Sequence, residues 1–359
     1  LNNTAFDKLR LARPAAVLAA ALGGGAVQAA TATLPIRVTA GSVRYGGSGA
    51  LTPATIPNSY SGIGQPTYAG GSMAVGPSGT RGAGTAYGIG EAELLQPAAR
   101  GTTLLQPDAF DRFAQMRVNG TFFTQPGGQV DVTTTADGVF VSTLSPLAIG
   151  GIDTRLDYFM DGSSPTLRVL ASFTNTTGGD LSAAVLYGGA LGSDNPTRIE
   201  ASSSGDAAFQ QTDRWFVSSD GFTVPYRDPV LTFVRYGQGS VQAASDTYAV
   251  PGTASVGTSV DYFTDVWSLA LGAGETQSLM WFVQLSDFVA TAQGRTGVFD
   301  NLDSLGTGGL LAAVGGGSIA TANIVNWEQP AAVPVPGVLP LMGLGLFGLA
   351  AVRRKRNGA

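Results

Sequence analysis

The sequence predicts a mainly β protein: an antiparallel β-sandwich with short helices at its C-terminal end, followed by a single C-terminal transmembrane helix. Three observations carry this expectation. From about residue 111 to residue 284, short runs of alternating apolar and polar residues recur between turn signals. The chain has 51 glycines but only 13 % charged residues in 359, a composition unlike that of an average cytoplasmic enzyme. Finally, Gly337 to Val352 contains no charged residue and runs into four consecutive cations.

Taken in order, the first segment (1–29) reads as a secretory signal. Lys8, Arg10 and Arg13 form a basic stretch, an apolar run follows from Pro14 to Val27, and Val27-Gln28-Ala29 places small residues where a signal peptidase reads. Cleavage is expected after Ala29 or Ala32. Residues 30–110 are rich in Gly, Ser, Thr, Ala and Pro. Leu34–Thr39 and Gly41–Tyr45 read as strands there, and Thr52–Gly90 reads as a long loop or a set of short irregular strands.

Residues 111–328 carry the sandwich. Its expected strands are Arg117–Thr124, Gln129–Thr135, Val139–Thr143, Thr154–Met160, Thr166–Thr174, Leu181–Leu191, Arg214–Ser218, Val230–Tyr236, Tyr262–Leu271 and Gln277–Gln284. Asp137-Gly138, Asp161-Gly162, Asp220-Gly221 and Gly272-Ala273-Gly274 are hairpin signals between them. In Thr166–Thr174, the residues Leu167, Val169, Ala171 and Phe173 fall on one face. In the run from Gln277, Leu279, Trp281 and Val283 face one way and Met280 and Phe282 the other, the pattern of a strand buried on both sides. Leu156–Asp161 echoes Val260–Asp265 over six residues, too short a match to establish duplication. From Ser286 to Val314 alternation is lost, and Phe288, Ala292, Val298, Leu302, Leu305 and Leu310 suit short helices packed on the sandwich.

Residues 329–359 read as a membrane-directed tail. Val333-Pro334-Val335-Pro336-Gly337 prefers an extended backbone, because neither proline can continue a helix. The sixteen uncharged residues from Gly337 to Val352 would span roughly 24 Å as a helix, short of a hydrocarbon core of roughly 30 Å, with basic side chains snorkelling to the headgroups. Arg353, Arg354, Lys355 and Arg356 would hold that end on the cytoplasmic side and the body outside. This order of Pro-x-Pro, short apolar helix, basic cluster and chain end resembles the PEP-CTERM sorting signal in its VPLPA-like variant. The resemblance covers about the last 25 residues, with Val335 where the family usually has glutamate. It implies handling by an exosortase-type processing enzyme of the membrane and release to the cell surface or extracellular matrix.

Charge and residue types narrow the chemistry. Without the seven cations of the leader and tail and the acid Asp7, the chain's 20 cations and 25 acids become 13 arginines against 24 acids. That body has net charge −11 and no lysine, which argues against nucleic acid as a partner. With neither cysteine nor histidine, disulfides, Cys/His zinc sites and Ser-His or Cys-His nucleophiles are excluded. No cofactor is expected. Asp153, Asp157 and Asp161 stand at four-residue spacing and are weak candidates for a calcium row; solvated turn carboxylates are the commoner use of such residues. The five glutamates (Glu91, Glu93, Glu200, Glu275 and Glu328) offer no evident catalytic pair. Trp215, Phe216, Tyr226 and Tyr236 suit either a sugar-stacking platform or a sandwich core, and Asp213-Arg214-Trp215 suggests an ion pair beside a core tryptophan.

The expected function is an exported surface or matrix protein, sorted through its tail and not an enzyme, with a binding or building body. A surface enzyme acting on polysaccharide through Asp or Glu, and a permanently anchored single-pass protein, are the alternatives. Extracellular polysaccharide is a further candidate partner.

Overall fold

The structure is a computed structural model. It describes residues 27–34, 36–45, 87–89, 92–95, 105–106, 109, 113–190, 197–220, 228–240, 242, 244, 246–250 and 262–328, with short two-residue strands at 17–18, 63–64, 67–68, 74–75, 80–81 and 84–85. Two compact units divide the chain, residues 1–328 and 329–359. The second lies outside the described residues, and with it the expected transmembrane helix and sorting motif. Among the described residues no helix is long and apolar enough to cross a membrane.

Seventeen described strands of three or more residues are numbered here in chain order. They are β1 Gln28–Thr33, β2 Arg37–Ala40, β3 Val43–Tyr45, β4 Ala92–Leu95, β5 Gln115–Val118, β6 Gln129–Thr134, β7 Gly138–Thr143, β8 Leu147–Ile149 and β9 Ile152–Asp161. Then come β10 Thr166–Asn175, β11 Leu181–Ala190, β12 Arg198–Ser202, β13 Trp215–Ser219, β14 Val230–Val234, β15 Asp246–Val250, β16 Tyr262–Leu271 and β17 Thr276–Ser286. Two short helices follow, α1 Val289–Gly294 and α2 Leu302–Thr307.

A large antiparallel sheet runs β1-β6-β7-β9-β10-β17-β14-β13-β12, with β8 paired to β9 beside that path. A second sheet runs from Thr121–Phe122 through β5, β11 and β16 to β15. A third carries β2, β3 and β4 in sequence. All three feed one core. Alternation along β10 sends Leu167, Val169, Ala171 and Phe173 into it, and the second sheet contributes Val185, Tyr187, Trp267 and Leu269. Ile36, Val38, Tyr45 and Leu94 of the N-terminal segment join the same cluster. The antiparallel β-rich expectation is met, and most expected strand boundaries fall within two residues.

β17 sits in mid-sheet between β10 and β14 and is apolar on both faces. Leu279, Trp281 and Val283 enter the main core, while Met280 and Phe282 face a separate cluster of Phe299, Leu302, Leu305, Leu310, Ile324 and Trp327. The helical end therefore forms a third layer on the outer face of the large sheet. Asn301 caps α2 by accepting from the Ser304 N–H at 2.9 Å.

Two glycines are required where backbones close on each other. Gly138, at φ 153°, turns β6 into β7, and a Cβ there would lie 2.1 Å from the Met160 carbonyl oxygen. Gly188 in β11 faces β16, where a Cβ would lie 2.1 Å from the Phe263 carbonyl oxygen.

The six-residue echo does not extend to packing. Phe159, in one copy, lies on the outer face of the large sheet against Phe140, whereas its counterpart Phe263 enters the main core. Strands β12 and β15 were not expected from sequence. β12 carries a register shift between Ile199 and Ala201 that interrupts the alternation by which a strand is recognised.

Candidate functional site

The sorting residues Val333, Pro334, Val335, Pro336 and Gly337, and the basic residues Arg353, Arg354, Lys355 and Arg356, lie outside the described residues. Ala29, the expected cleavage residue, is exposed in β1 with Thr133 opposite it.

Asp153, Asp157 and Asp161 do share one face of β9, as the even spacing requires. Extended backbone rises about 3.3 Å per residue, so neighbours in that row are separated by roughly 13 Å. No single ion bridges that gap, and the calcium row is corrected on this ground. Among the described residues no three of Asp, Glu, His or Cys gather to hold a metal. Asp157 instead accepts the Thr143 N–H at 2.7 Å. Burial pushes its carboxyl above the ordinary range, against the lowering pull of that hydrogen bond and of Arg155 and Arg168. Asp161 closes the turn into β10 by accepting from the Ser163 and Ser164 N–H groups at 2.9 and 3.1 Å.

The aromatic residues do not form an open platform. Phe216 and Tyr236 are buried, Trp215 is half-buried, and Tyr226 lies outside the described residues. Phe216 packs among Phe209, Phe233 and Phe263, with ring centroids 4.6 to 5.6 Å away. The ion pair expected within Asp213-Arg214 is also corrected. Arg214 reaches Asp300 at 3.2 Å, on the helical layer. Asp213 is fully buried and accepts from the backbone N–H groups of Ser204 and Gln210 at 3.1 and 2.7 Å.

The main charged centre of the fold is one that sequence reasoning missed. Arg235 follows β14, and Asp265 lies on the inward face of β16 with Phe263 and Trp267. Their side chains are 1 % and 0 % exposed. Arg235 Nε lies 2.9 Å from both carboxylate oxygens and Nη2 lies 2.8 Å from Oδ1. Its Nη1 donates to the carbonyls of Gln211 and Asp213 at 3.1 and 2.6 Å. One guanidinium therefore ties together the two sheets and the 203–214 loop. Asn326 extends the network. It donates to the carbonyls of Arg235 (2.9 Å) and Met280 (2.8 Å) and accepts the Met280 N–H at 2.9 Å. Beside the pair, Tyr187 stacks on Trp281 at 3.9 Å and 5°, and burial, with the Asp265 charge added, raises the Tyr187 hydroxyl well above the phenol range. Exclusion from water makes this centre a clamp rather than a place where substrate is turned over.

Glutamates are also engaged. Glu93 is buried and lies 3.4 Å from Arg44 Nε. Glu275 caps its own hairpin by accepting the Gly272 N–H at 2.7 Å. Glu200 accepts from the Ser219 hydroxyl. The residue after Ser219 is Asp220, whose carboxylate accepts the Asp228 N–H at 3.3 Å. Glu200 and Asp220 thus sit beside Ser219 at one end of the large sheet.

No family model matches this chain, and no curated protein matches it. Among solved structures it is similar to a polysaccharide lyase, at 16 % identity and TM-score 0.30, over 58 % of this chain and 32 % of the other. It is similar also to a GH36 α-galactosidase from Geobacillus stearothermophilus, at 11 % identity and TM-score 0.32, over 70 % and 40 %. The chain thus spans well under half the length of these structures, and nothing is carried from them to it.

Proposed function

We propose that this chain is an exported surface or matrix protein, delivered through its C-terminal sorting signal, whose body is a non-catalytic scaffold. The observation that carries the reading is the three-part tail: Pro334-Val335-Pro336, the uncharged run to Val352, then Arg353-Arg354-Lys355-Arg356. The extended Pro-x-Pro presents accessible backbone just outside a bilayer, where a membrane processing enzyme can grip it. The basic cluster sets the orientation. The body supports the scaffold part of the reading: the fully buried Arg235–Asp265 pair braces the fold, and Asp157 and Asp161 are spent on backbone hydrogen bonds. Secretion of the wild type is compared with that of a Pro334→Ala/Pro336→Ala variant. Release of a tail-less wild type and membrane retention of the variant is the expected result. Equal release of both with the tail attached would sink the sorting assignment, and a wild type that keeps its tail in the membrane would be a permanently anchored protein.

A second reading is a surface enzyme acting on polysaccharide. The observation in its favour is that Glu200 and Asp220 sit beside Ser219 at one end of the large sheet, carboxylic acids of the kind glycoside hydrolysis uses. Polysaccharide depolymerisation that is abolished by Glu200→Gln, with the fold intact, would establish it in place of the scaffold.

A further inference from the structure

The large sheet ends on one side in a strand that is fastened almost entirely by its backbone. β1 pairs with β6 in a six-residue antiparallel register, Gln28 opposite Thr134 through Thr33 opposite Gln129. Five of its six residues are exposed, and only Ala32 packs against the core. One side-chain contact accompanies the ladder, from the Thr31 hydroxyl to Asp131 at 2.9 Å. Immediately after β1 the chain is pinned: the Leu34 N–H donates to the Gly128 carbonyl at 2.9 Å, and Ile36 is 2 % exposed. β6 is anchored quite differently, with Val130 and Val132 fully in the core. The two strands of this pair are therefore unequal. Upstream the chain is held by a two-residue parallel pairing of Val17–Leu18 with Arg37–Val38, so β1 can detach about its root once that pairing opens, whereas β6 cannot leave.

Detachment of β1 bares the N–H and C=O groups of β6, and a bare sheet edge takes up another strand. The strand whose register and residues match that edge is β1 itself, from another molecule. Its six residues carry no charge, so it can approach a body of net charge −11 with little repulsion. We propose that β1 exchanges between copies of this chain, pairing with β6 of a neighbour and linking molecules edge to edge. The contacts made are those already present within one molecule, so concentration decides between the closed and the exchanged forms. Signal cleavage after Ala29 leaves Ala30–Thr33, four of the six paired positions, and keeps exchange possible; cleavage after Ala32 removes all but one. The inference deepens the scaffold reading but is tested on purified chains, so its failure leaves the export assignment untouched.

The chain has no cysteine, which makes introduced thiols unambiguous reporters. Full-length chains carrying Thr31→Cys alone and Asp131→Cys alone are purified, mixed and mildly oxidised. Their dimers are then separated by non-reducing electrophoresis and the cross-linked peptides identified by mass spectrometry. The expected result is a mixed disulfide at least about tenfold above either like-with-like dimer, increasing with protein concentration and with salt as repulsion is screened. A chain carrying both substitutions is expected to close an internal disulfide and to run as a monomer that no longer exchanges. Mixed dimer at or below the like-with-like level, with the double variant closing normally, overturns the proposal. Failure of the double variant to close internally overturns it too, by removing the register on which it rests.

Discussion

Loss of the Arg235–Asp265 ion pair should cost the body much less than the sum of losing each partner alone. In Asp265→Ala, Arg235 keeps its two close carbonyls on Gln211 and Asp213 but loses the acceptor of Nε and Nη2 at 1 % exposure. A buried charge stripped of its counterion costs about 3–5 kcal/mol. Arg235→Met strands the Asp265 carboxylate and also releases the loop carbonyls, each of which adds about 1–3 kcal/mol if left unsatisfied. The single variants should therefore lose about 3–5 kcal/mol and somewhat more, in that order. The double variant Arg235→Met/Asp265→Leu leaves no orphaned charge but still frees the two loop carbonyls, so it should lose less than Arg235→Met alone and clearly less than the sum of the two singles. Urea unfolding of the four proteins, followed by tryptophan fluorescence, measures the cycle, since Trp267 and Trp281 lie beside the pair. Against a typical stability of about 5–15 kcal/mol these losses are large. Single variants within about 1 kcal/mol of wild type, or losses that simply add, would refute the account of this centre as a closed ionic clamp.

Three further outcomes are expected. Asn326→Ala removes three buried hydrogen bonds that join the final segment to β17 and to Arg235, and should cost about 2–4 kcal/mol in the same assay while freeing the helical layer to faster hydrogen exchange. Gly188→Ala drives a methyl group into the Phe263 carbonyl and should cost about 3 kcal/mol, the upper end for overpacking, as read from the urea midpoint; a neutral result would contradict the close approach of β11 and β16. Burial holds the Asp157 carboxyl above its value in the unfolded chain, so its contribution to stability is present below the ordinary 3.8 and is lost as pH rises through the raised value. Asp157→Asn should flatten that decline in urea midpoints taken from about pH 3 to pH 7, and an unchanged slope would remove Asp157 as its source.

Much of the architecture is legible in the sequence. Alternation in β10 told which side chains face the core, and the two-sided apolar pattern of β17 placed that strand in mid-sheet with a layer on each face. Such features are local, because a period of two residues is a property of the strand itself. Turn residues at Asp137-Gly138 were legible for the same reason. β12 was not, because a register shift breaks the period that reveals a strand.

What the sequence by itself determined is the inventory: no Cys-based or His-based chemistry, few lysines, alternating strands, and the residue pattern of the two ends on which the export proposal rests. What only the tertiary structure decided is which residues meet. Arg235 and Asp265 are thirty positions apart and on different sheets, so no spacing rule pairs them; stacking of the sheets does. The aspartates of β9 show the converse. Their regular spacing suggested a shared ion, but along an extended strand regular spacing means separation, and Asp157 and Asp161 each serve their own neighbourhood. The sheet edge at β1 belongs to the tertiary structure too, because whether a short uncharged segment is anchored or merely laid against its neighbour depends on what lies behind it.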